Sequence, residues 1–360
     1  GKNPGGNLKF LLFLCAVIKA VDEYQDLLRI SVASAGNDHR LGGNEAPPAI
    51  ISMFIGDDLE ALLSAIERGE AYTNNLDRTM NIGVSVLPPF KRDTTDRNRT
   101  SPFAFTGNKF EFRMPGSGTS ISCPSYMLNV TVAESLRQFA DILEGSNDLE
   151  TSLISLIKDT VAKHKRIIFN GNNYSEEWVA MAEGRGLLNL KSTVDALPLF
   201  TLEKNLELLK RHGIFTDVEV RARQEILLRE YSNVLNIEAL TMVEMANKEI
   251  IPAVSGYIKT LADTAVAKKT LGSDISWELE KDLISGLSSI SMCLHKAVQE
   301  LDNALIEANV IDEIGSSAEY YNKKILPLMK EIRIAADTLE TMTASRSWPF
   351  PVYSELLFGV

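Results

Sequence analysis

The hydrophobic pattern of the chain changes character near Ser122. From there to residue 343, apolar residues recur at the three- and four-residue intervals of amphipathic helices. Pro252 lies inside the longest periodic segment, so we expect a kink or a break near Ile251. The predicted helices cover residues 127–143, 149–166, 202–212, 216–234, 237–268, 277–309 and 317–343. This half of the chain therefore predicts a bundle of long helices.

Before Ser122 the pattern is mixed. Helices are predicted over residues 8–28 and 57–68, strand-like runs over 27–33, 82–87 and 103–114, and a glycine-hinged loop over 36–48. The two halves together predict an α+β fold that is mainly α overall. A few antiparallel strands plus helices come first, and the long-helix bundle follows.

We interpret residues 346–360 as the last part of the chain, a separate C-terminal tail. The last part is unusually aromatic, since it contains Trp348, Phe350, Tyr353 and Phe358. Leaving so much apolar area in water is unfavourable by about 25 cal/mol per Å². We therefore expect this tail to dock onto a surface of the fold or of a neighbouring subunit.

The charge balance narrows the class of protein. A formal net charge of −11 in 360 residues argues against a general nucleic-acid-binding surface. The apolar run from Leu8 to Ile18 is interrupted by Lys9 and is too short to span a bilayer, so no membrane role is expected. The widely spaced cysteines, Cys15, Cys123 and Cys293, match no metal motif and are predicted to be buried, reduced thiols. These features favour a cytoplasmic protein.

The first candidate for chemistry is the loop that carries Arg40 and Glu45 on either side of Gly42 and Gly43. Arginine is suited to bidentate binding of carboxylate or phosphate, and a glutamate on a closing loop can act as a base once water is excluded. The simpler alternative is a surface loop with an ordinary ion pair.

Further cations follow this loop. Arg97 and Arg99 stand two positions apart, so in an extended segment both face the same side. In the strand-like run that follows, Lys109, Glu111 and Arg113 share one face, opposite Phe110 and Phe112. Such a face is usually solvated, but with the arginines nearby it favours binding of phosphate and of a divalent metal.

In their order and identity, these segments closely resemble glutamine synthetase, specifically its large type III form. The matching stretches are 37–47, 97–99, 110–113 and 348–351. The resemblance implies that residues 1–130 are the C-terminal part of the catalytic domain, and that residues 131–345 are a helical region specific to type III. It implies ATP-dependent ligation of ammonia to glutamate through γ-glutamyl phosphate.

The resemblance also implies a role for individual residues. Arg40 would contact the glutamate substrate, and Glu45 would be the flap residue that closes the site and takes a proton from ammonium. Arg99 would bind the nucleotide and stabilise the transferring phosphate, and Arg113 would contact the glutamate or its acyl phosphate. Glu111 would be a ligand of Mg²⁺ or Mn²⁺.

Some positions depart from the commoner classes of the family. The spacing from Arg40 to Glu45 is one residue shorter, and Ala104 stands where those classes carry an arginine beyond Arg99. Lys109 replaces an arginine near the nucleotide, which makes it a weaker candidate for nucleotide binding.

The family's remaining metal ligands come from a preceding region that nothing in this chain resembles. We therefore expect the chain to hold about half of a site, and the isolated fragment to be inactive. The resemblance further implies a homo-oligomeric ring. Two alternatives remain open: a related ligase that joins glutamate to another amine, and a non-catalytic helical module for assembly or regulation.

Overall fold

The computed structural model describes residues 7–43, 46–70, 79–80, 90–91, 99–351 and 353–358. The chain forms two compact units, Gly1–Leu227 and Leu228–Val360. This division differs from the boundaries at residues 130 and 345 that the resemblance implies, and those boundaries stay predictions.

The first unit surrounds a central apolar helix. Its helices are α1 (Leu8–Glu23), α2 (Gln25–Ile30), α3 (Ala35–Arg40), α4 (Asp57–Arg68), α5 (Ser122–Glu144), α6 (Leu149–His164), α7 (Glu176–Gly184), α8 (Thr193–Ala196), α9 (Glu203–Arg211) and the start of α10 (Asp217–Met245). Short 3₁₀ turns cover Lys165–Ile167 and Leu197–Thr201. Helices α5 and α6 pack on α1, which explains why α1 is apolar on most faces.

The strands are short. They are β1 (Met53–Phe54), β2 (Thr79–Met80), β3 (Phe90–Lys91), β4 (Phe103–Phe105) and β5 (Phe110–Phe112). β2 pairs with β3, while the order β1-β4-β5 forms a separate sheet. β4 and β5 are antiparallel, as expected, but β1 and β4 are parallel. The predicted strand over residues 103–114 is in fact this β4–β5 hairpin, which turns at Gly107. The α+β class with mainly helical content is confirmed.

Two local predictions were wrong. Residues 27–33 form no strand, because the chain continues as α2 and its Ser31 amide donates to the Leu27 carbonyl at 2.9 Å. A short apolar run cannot distinguish a buried helix from a strand. The predicted loop after Gly36 begins instead as α3, whose N-terminus is capped by the Ser34 hydroxyl. Arg40 is therefore the last residue of a helix. The helix predicted over residues 57–68 is confirmed as α4.

A row of buried polar side chains follows one face of α1 and α2. Its members, Asp22, Gln25, Asp26 and Arg29, recur within the three- and four-residue intervals of one helix face, and each is at most 3% exposed. This polar row would be unfavourable without partners, because a buried charge needs both pairing and hydrogen bonds.

The partners of the polar row come from residues 164–205. His164 and Arg166 each bond Asp22 at 2.8 Å. The Leu188 amide donates to Gln25 at 3.0 Å. Asp26 accepts from Lys204 at 3.0 Å and from Asn205 at 2.9 Å. The row thus joins α1 and α2 to the second half of the unit. His164 has the structural role that the sequence predicted.

Arg29 extends this link to α3. Its side chain is 1% exposed, donates to the Leu190 carbonyl at 2.8 Å and pairs with Asp38 at 2.7 Å. The other carboxylate oxygen of Asp38 accepts from the Thr193 amide at 2.6 Å. Burial raises the pKa of Asp38, and the Arg29 charge opposes that shift. One buried ion pair therefore holds α2, α3 and the start of α8 together.

A second ionic cluster lies between α5 and α9. Glu134 is 1% exposed and accepts hydrogen bonds from Arg137, Gln138, Arg211 and His212 at 2.7–3.0 Å. These contacts, led by that of Arg137, hold the pKa of Glu134 well below its usual range. His212 is structural, as predicted.

The second unit consists of long helices. It contains the rest of α10, a π turn (Ala246–Ile250), α11 (Ile251–Leu271), α12 (Glu278–Ala308), α13 (Ile314–Tyr320), a second π turn (Tyr321–Ile325), α14 (Leu326–Met342), a 3₁₀ turn (Ser345–Ser347) and α15 (Tyr353–Phe358). α12 packs against α11 and α14. Its fully buried Leu287, Leu294 and Leu301 stand seven residues apart, the spacing of a helix-packing seam.

Two prolines in this unit, Pro252 and Pro327, follow π turns. The expected disturbance near Ile251 is a π turn that ends two residues before Pro252, and the same relation holds at Pro327. A proline ring clashes with the carbonyl four residues earlier, and a wider turn relieves that clash. The predicted break between residues 234 and 237 was wrong, since α10 is continuous there.

All three cysteines are free thiols, but they differ in burial. Burial raises the pKa of Cys15 to about 12, Cys123 is half-buried, and Cys293 is exposed. The prediction of buried thiols was therefore wrong for Cys293, which stands on an outer face of α12. Within the described ranges, no helix has the length and apolar character needed to cross a bilayer.

We predict that Arg29→Met destabilises the first unit strongly. The substitution leaves Asp38 as an unpaired buried charge, which costs about 3–5 kcal/mol in comparable cases. The matched control is Arg68→Met, because Arg68 pairs with Glu70 at 2.7 Å while both side chains are 59% exposed. Such an exposed pair contributes at most about 1 kcal/mol.

The unfolding of this unit can be followed selectively, because Trp178 is its only tryptophan. Denaturant titrations of Trp178 fluorescence, in a background with Trp277→Phe and Trp348→Phe, give the two changes in free energy of unfolding. Equal losses for Arg29→Met and Arg68→Met would contradict the importance assigned to the buried pair.

The Glu134 cluster predicts an acid-dependent stability. A carboxylate whose pKa is lowered by folding stabilises the fold above its unfolded pKa of about 4.3, and this contribution is lost as the pH falls further. Glu134→Gln should lower the melting temperature at pH 7 and flatten its decline below pH 4.3. Glu183→Gln, an exposed change on α7, should alter neither. Parallel acid profiles for wild type and Glu134→Gln would show that the cluster does not contribute.

Candidate active site

Arg40, Arg99 and Arg113 line one pocket of the first unit. The cavity has a volume of about 90 Å³. The other lining residues are Leu41, Ala46, Pro47, Pro48, Thr100, Ser101, Pro102, Met114 and Tyr174. Three cations that are distant in sequence thus converge on a space suited to a small anionic group.

Arg40 is held by its own helix end and by the segment after β5. Its Nε donates to Asn37 Oδ1 at 3.0 Å, and its Nη2 contacts the carbonyls of Met114 and Pro115. None of these three partners is a carboxylate, so they do not cancel the positive charge of the Arg40 guanidinium. Arg40 is therefore oriented without losing its attraction for an anion.

Asn37 is the residue that fixes this arrangement. It is 4% exposed, and its Nδ2 donates to the Val32 carbonyl at 2.7 Å and to the Met114 carbonyl at 3.1 Å. Its Oδ1 remains to accept from Arg40. Both the nitrogen and the oxygen of the Asn37 side-chain amide are thus hydrogen-bonded, and these bonds connect α3 to the segment that follows β5.

Arg113 follows β5 and is paired with Glu111. The Glu111 carboxylate accepts from Arg113 Nη2 at 2.8 Å and lies 3.5 Å from Lys109 Nζ on its other side. The hydrogen bond from Arg113 lowers the pKa of Glu111. The predicted sharing of one face by these three residues agrees with this geometry, while Phe110 and Phe112 pack on Phe103.

Arg99 is exposed and stands in a turn just before β4. The next residue, Thr100, accepts from the Asn173 amide at 3.1 Å. This hydrogen bond holds Thr100, the residue next to Arg99, and Arg99 itself lines the pocket. The predicted Glu45 and Arg97 lie outside the described residues.

The described residues do not form a complete metal site. No group of three potential His, Cys, Asp or Glu ligands occurs among them. Glu111 offers a single carboxylate, which already bonds Arg113 and contacts Lys109. Its predicted role as a metal ligand stays a prediction.

Some of the residues that build this pocket gave no sequence signal. Asn37 sits within a recognised motif, but spacing alone does not show that it orients Arg40. Asn173 and Tyr174 belong to a stretch rich in turn residues that predicted only a connector. The one available signal was the cluster of asparagines next to an aromatic residue, because asparagine side chains often hydrogen-bond to the backbone and so order a loop.

Together, the mixed sheet and the arginine pocket define a protein with a small cavity of about 90 Å³ that is lined by cationic side chains. Comparisons with known proteins then identify the family. Residues 152–269 match the glutamine synthetase C-terminal domain. A glutamine synthetase of Butyrivibrio fibrisolvens is 43% identical to this chain, over 100% of this chain and 51% of its own length.

Two further relatives are also glutamine synthetases. A type-3 glutamine synthetase of Dictyostelium discoideum is 40% identical over 99% of this chain and 50% of its own length. A glutamine synthetase of Bacteroides fragilis is 36% identical over 99% of this chain and 51% of its own. The chain belongs to the glutamine synthetase family, as its motifs predicted, and it spans about half the length of these relatives.

The packing around Asn37 generates a prediction at Gly116. A Cβ at Gly116 would lie 3.3 Å from Asn37 Oδ1, whereas a Cβ at Gly118 would meet no atom within 4 Å. Because hydrogen bonds hold Asn37 in place, Gly116→Ala should lower the melting temperature by a few degrees, corresponding to about 1 kcal/mol. Gly118→Ala should not lower it. A Gly116→Ala protein as stable as Gly118→Ala would show that Asn37 is free to move.

Proposed function

We propose that the full-length protein ligates ammonia to glutamate at the expense of ATP, giving glutamine. The convergence of Arg40, Arg99 and Arg113 on one pocket is the observation that supports this proposal most directly. Membership of the glutamine synthetase family supports the choice of substrates.

The reaction has two steps in this proposal. An oxygen of the glutamate γ-carboxylate attacks the γ-phosphorus of ATP, and ADP leaves. Ammonia then attacks the acyl carbon of γ-glutamyl phosphate, a proton is lost from nitrogen, and phosphate leaves. Both steps develop negative charge on oxygen, and preorganised arginines stabilise such charge more strongly in a partly enclosed pocket than in water.

The three arginines divide this task. Arg40 is oriented by Asn37 and by backbone carbonyls, so its free donors bind the substrate carboxylate. Arg113 contacts the glutamate or its acyl phosphate, and its pair with Glu111 fixes its position. Arg99 is the most exposed of the three, and it stabilises the phosphate in transfer and contacts the nucleotide together with Lys109. Glu45 takes the proton from ammonium.

ATP and Mg²⁺ or Mn²⁺ are the proposed cofactors. The metal would shield the phosphate charges of the nucleotide. Glu111 would hold it if its contacts with Arg113 and Lys109 were exchanged for the metal, with the other ligands supplied from outside the described residues.

We also infer a homo-oligomeric, cytoplasmic enzyme. Free thiols are typical of a reducing compartment. Several large apolar side chains of the second unit are exposed, including Leu271 at 76% and Val310 at 78%. Such residues favour contacts between subunits.

The function is tested with the full-length protein, glutamate, ATP and a choice of amine. Ammonium should give glutamine and stoichiometric ADP, whereas putrescine or methylamine at the same concentration should react poorly. Preferential use of a bulky amine would replace this proposal with a different γ-glutamyl ligase. A protein that assembles but consumes no ATP would support a non-catalytic role.

Alanine substitutions test the pocket. Arg40→Ala, Arg99→Ala and Arg113→Ala should each lower kcat/KM by about 10²-fold or more, because each removes a charge that stabilises the transition state. Arg68→Ala, an exposed change in the same unit, is the control and should leave kcat/KM unchanged. If all four variants had similar activity, the reaction would have to occur elsewhere.

A further inference from the structure

One wall of the arginine pocket comes from far along the chain. Tyr174 lines the cavity together with Arg99 and Arg113, although more than sixty positions separate it from Arg113. It belongs to the segment 170–174, which carries three asparagines and which we call the amide loop. The amide loop lies within residues 152–269, the stretch that matches the C-terminal domain.

The amide loop is built onto the end of β1. Ile168 pairs with Met53 in a parallel bridge, and the Phe169 amide donates to the Met53 carbonyl at 2.9 Å. The side-chain oxygen of Asn170 then accepts from the amides of Ile55 and Gly56, each at 3.1 Å. The start of the loop is therefore fixed to the sheet by backbone and side-chain hydrogen bonds.

Asn173 connects the amide loop to the arginine segment. Its side chain is buried at 1% exposure, and its Oδ1 accepts from the Ser52 hydroxyl at 2.6 Å. Its backbone amide donates to Thr100 Oγ1 at 3.1 Å, and its Nδ2 lies 3.4 Å from the same oxygen. Thr100 directly precedes the buried Ser101 and follows Arg99. The contact thus anchors the backbone from which Arg99 projects.

Tyr174 completes the wall. It is 44% exposed, and its backbone amide donates to Asn172 Oδ1 at 3.0 Å. A half-exposed aromatic ring beside cations can contact a bound anion through its hydroxyl and can restrict access of water.

We propose that the amide loop is part of the binding machinery for the phosphate-bearing substrate. Asn173 is a positioning residue that acts on Arg99 through Thr100, and Tyr174 contacts the bound substrate. This inference rests on the proposed function. It gives the C-terminal domain a direct part in the reaction, beyond helical packing.

Thr100 provides the sharpest test in the full-length enzyme. Thr100→Val keeps the shape but removes the acceptor, so kcat should fall at least about tenfold while the KM for ammonium changes less than about twofold. Thr100→Ser keeps the acceptor and should restore most of kcat. The control is Thr160→Val, because Thr160 is buried and its hydroxyl is hydrogen-bonded too, but it donates to the Leu156 carbonyl at 2.7 Å, away from the pocket.

Asn173→Ala should cause a smaller loss of kcat than Thr100→Val. It removes the side-chain contacts of Asn173 with Thr100 and Ser52, but the backbone amide of residue 173 can still donate to Thr100 Oγ1. Asn205→Ala is the matched control. Asn205 is equally buried and hydrogen-bonded, but its partners are Asp26 and the Leu199 carbonyl. A comparable loss of kcat in Asn205→Ala would show a merely structural effect and would overturn the positioning role.

Tyr174 tests the inference without a risk to folding, because the side chain is half-exposed. Tyr174→Ala should raise the KM for ATP or glutamate at least about fivefold, and Tyr174→Phe should show whether the ring or the hydroxyl makes the contact. Tyr257→Ala, on α11, is the control.

The possible outcomes separate the two proposals. An active wild type with unaffected Thr100, Asn173 and Tyr174 variants overturns this inference and leaves the proposed function intact. A wild type that forms no glutamine overturns the proposed function, and the inference falls with it. Loss of kcat in Thr100→Val that Thr100→Ser restores supports the positioning role, and the KM effect of Tyr174→Ala supports the contact.

Discussion

The first unit depends on the pairing of the buried polar row of α1 and α2 with residues 164–205. Buried charges are tolerated only where their partners are in place, so these contacts tolerate few alternative arrangements. The Arg29–Asp38 pair carries that constraint from α2 to α3, whose last residue is Arg40. The position of an arginine in the pocket thus depends on contacts made with the far half of the unit.

Each arginine of the pocket also has a support of its own. Asn37 holds Arg40, the Glu111 carboxylate holds Arg113, and the Asn173–Thr100 contact anchors the backbone beside Arg99. None of these supports neutralises Arg40 or Arg99 with a carboxylate. These supports therefore leave the positive charges of Arg40 and Arg99 in place, as binding of phosphate and carboxylate requires. The second half of the first unit contributes to this support through Asn173.

Sequence patterns predicted the parts of this structure that depend on periodicity or on recognised motifs. The helix α4 and the Phe110–Phe112 face followed from apolar spacing, and the arginines followed from the family resemblance. The pattern failed at residues 27–33, because a short apolar run fits a buried helix as well as a strand. It also gave no sign of the polar row or of Asn173, because a buried polar residue is explained only by partners distant in sequence.

We propose that the arginine pocket serves a ligase that forms γ-glutamyl phosphate. Oxygen transfer tests it most directly, in the full-length protein with ATP, ammonium and glutamate labelled with ¹⁸O in its γ-carboxylate. If the carboxylate attacks phosphorus, one labelled oxygen leaves with each inorganic phosphate, and mass spectrometry of the phosphate should show one ¹⁸O per molecule of glutamine formed. Unlabelled phosphate released together with glutamine would contradict the claim.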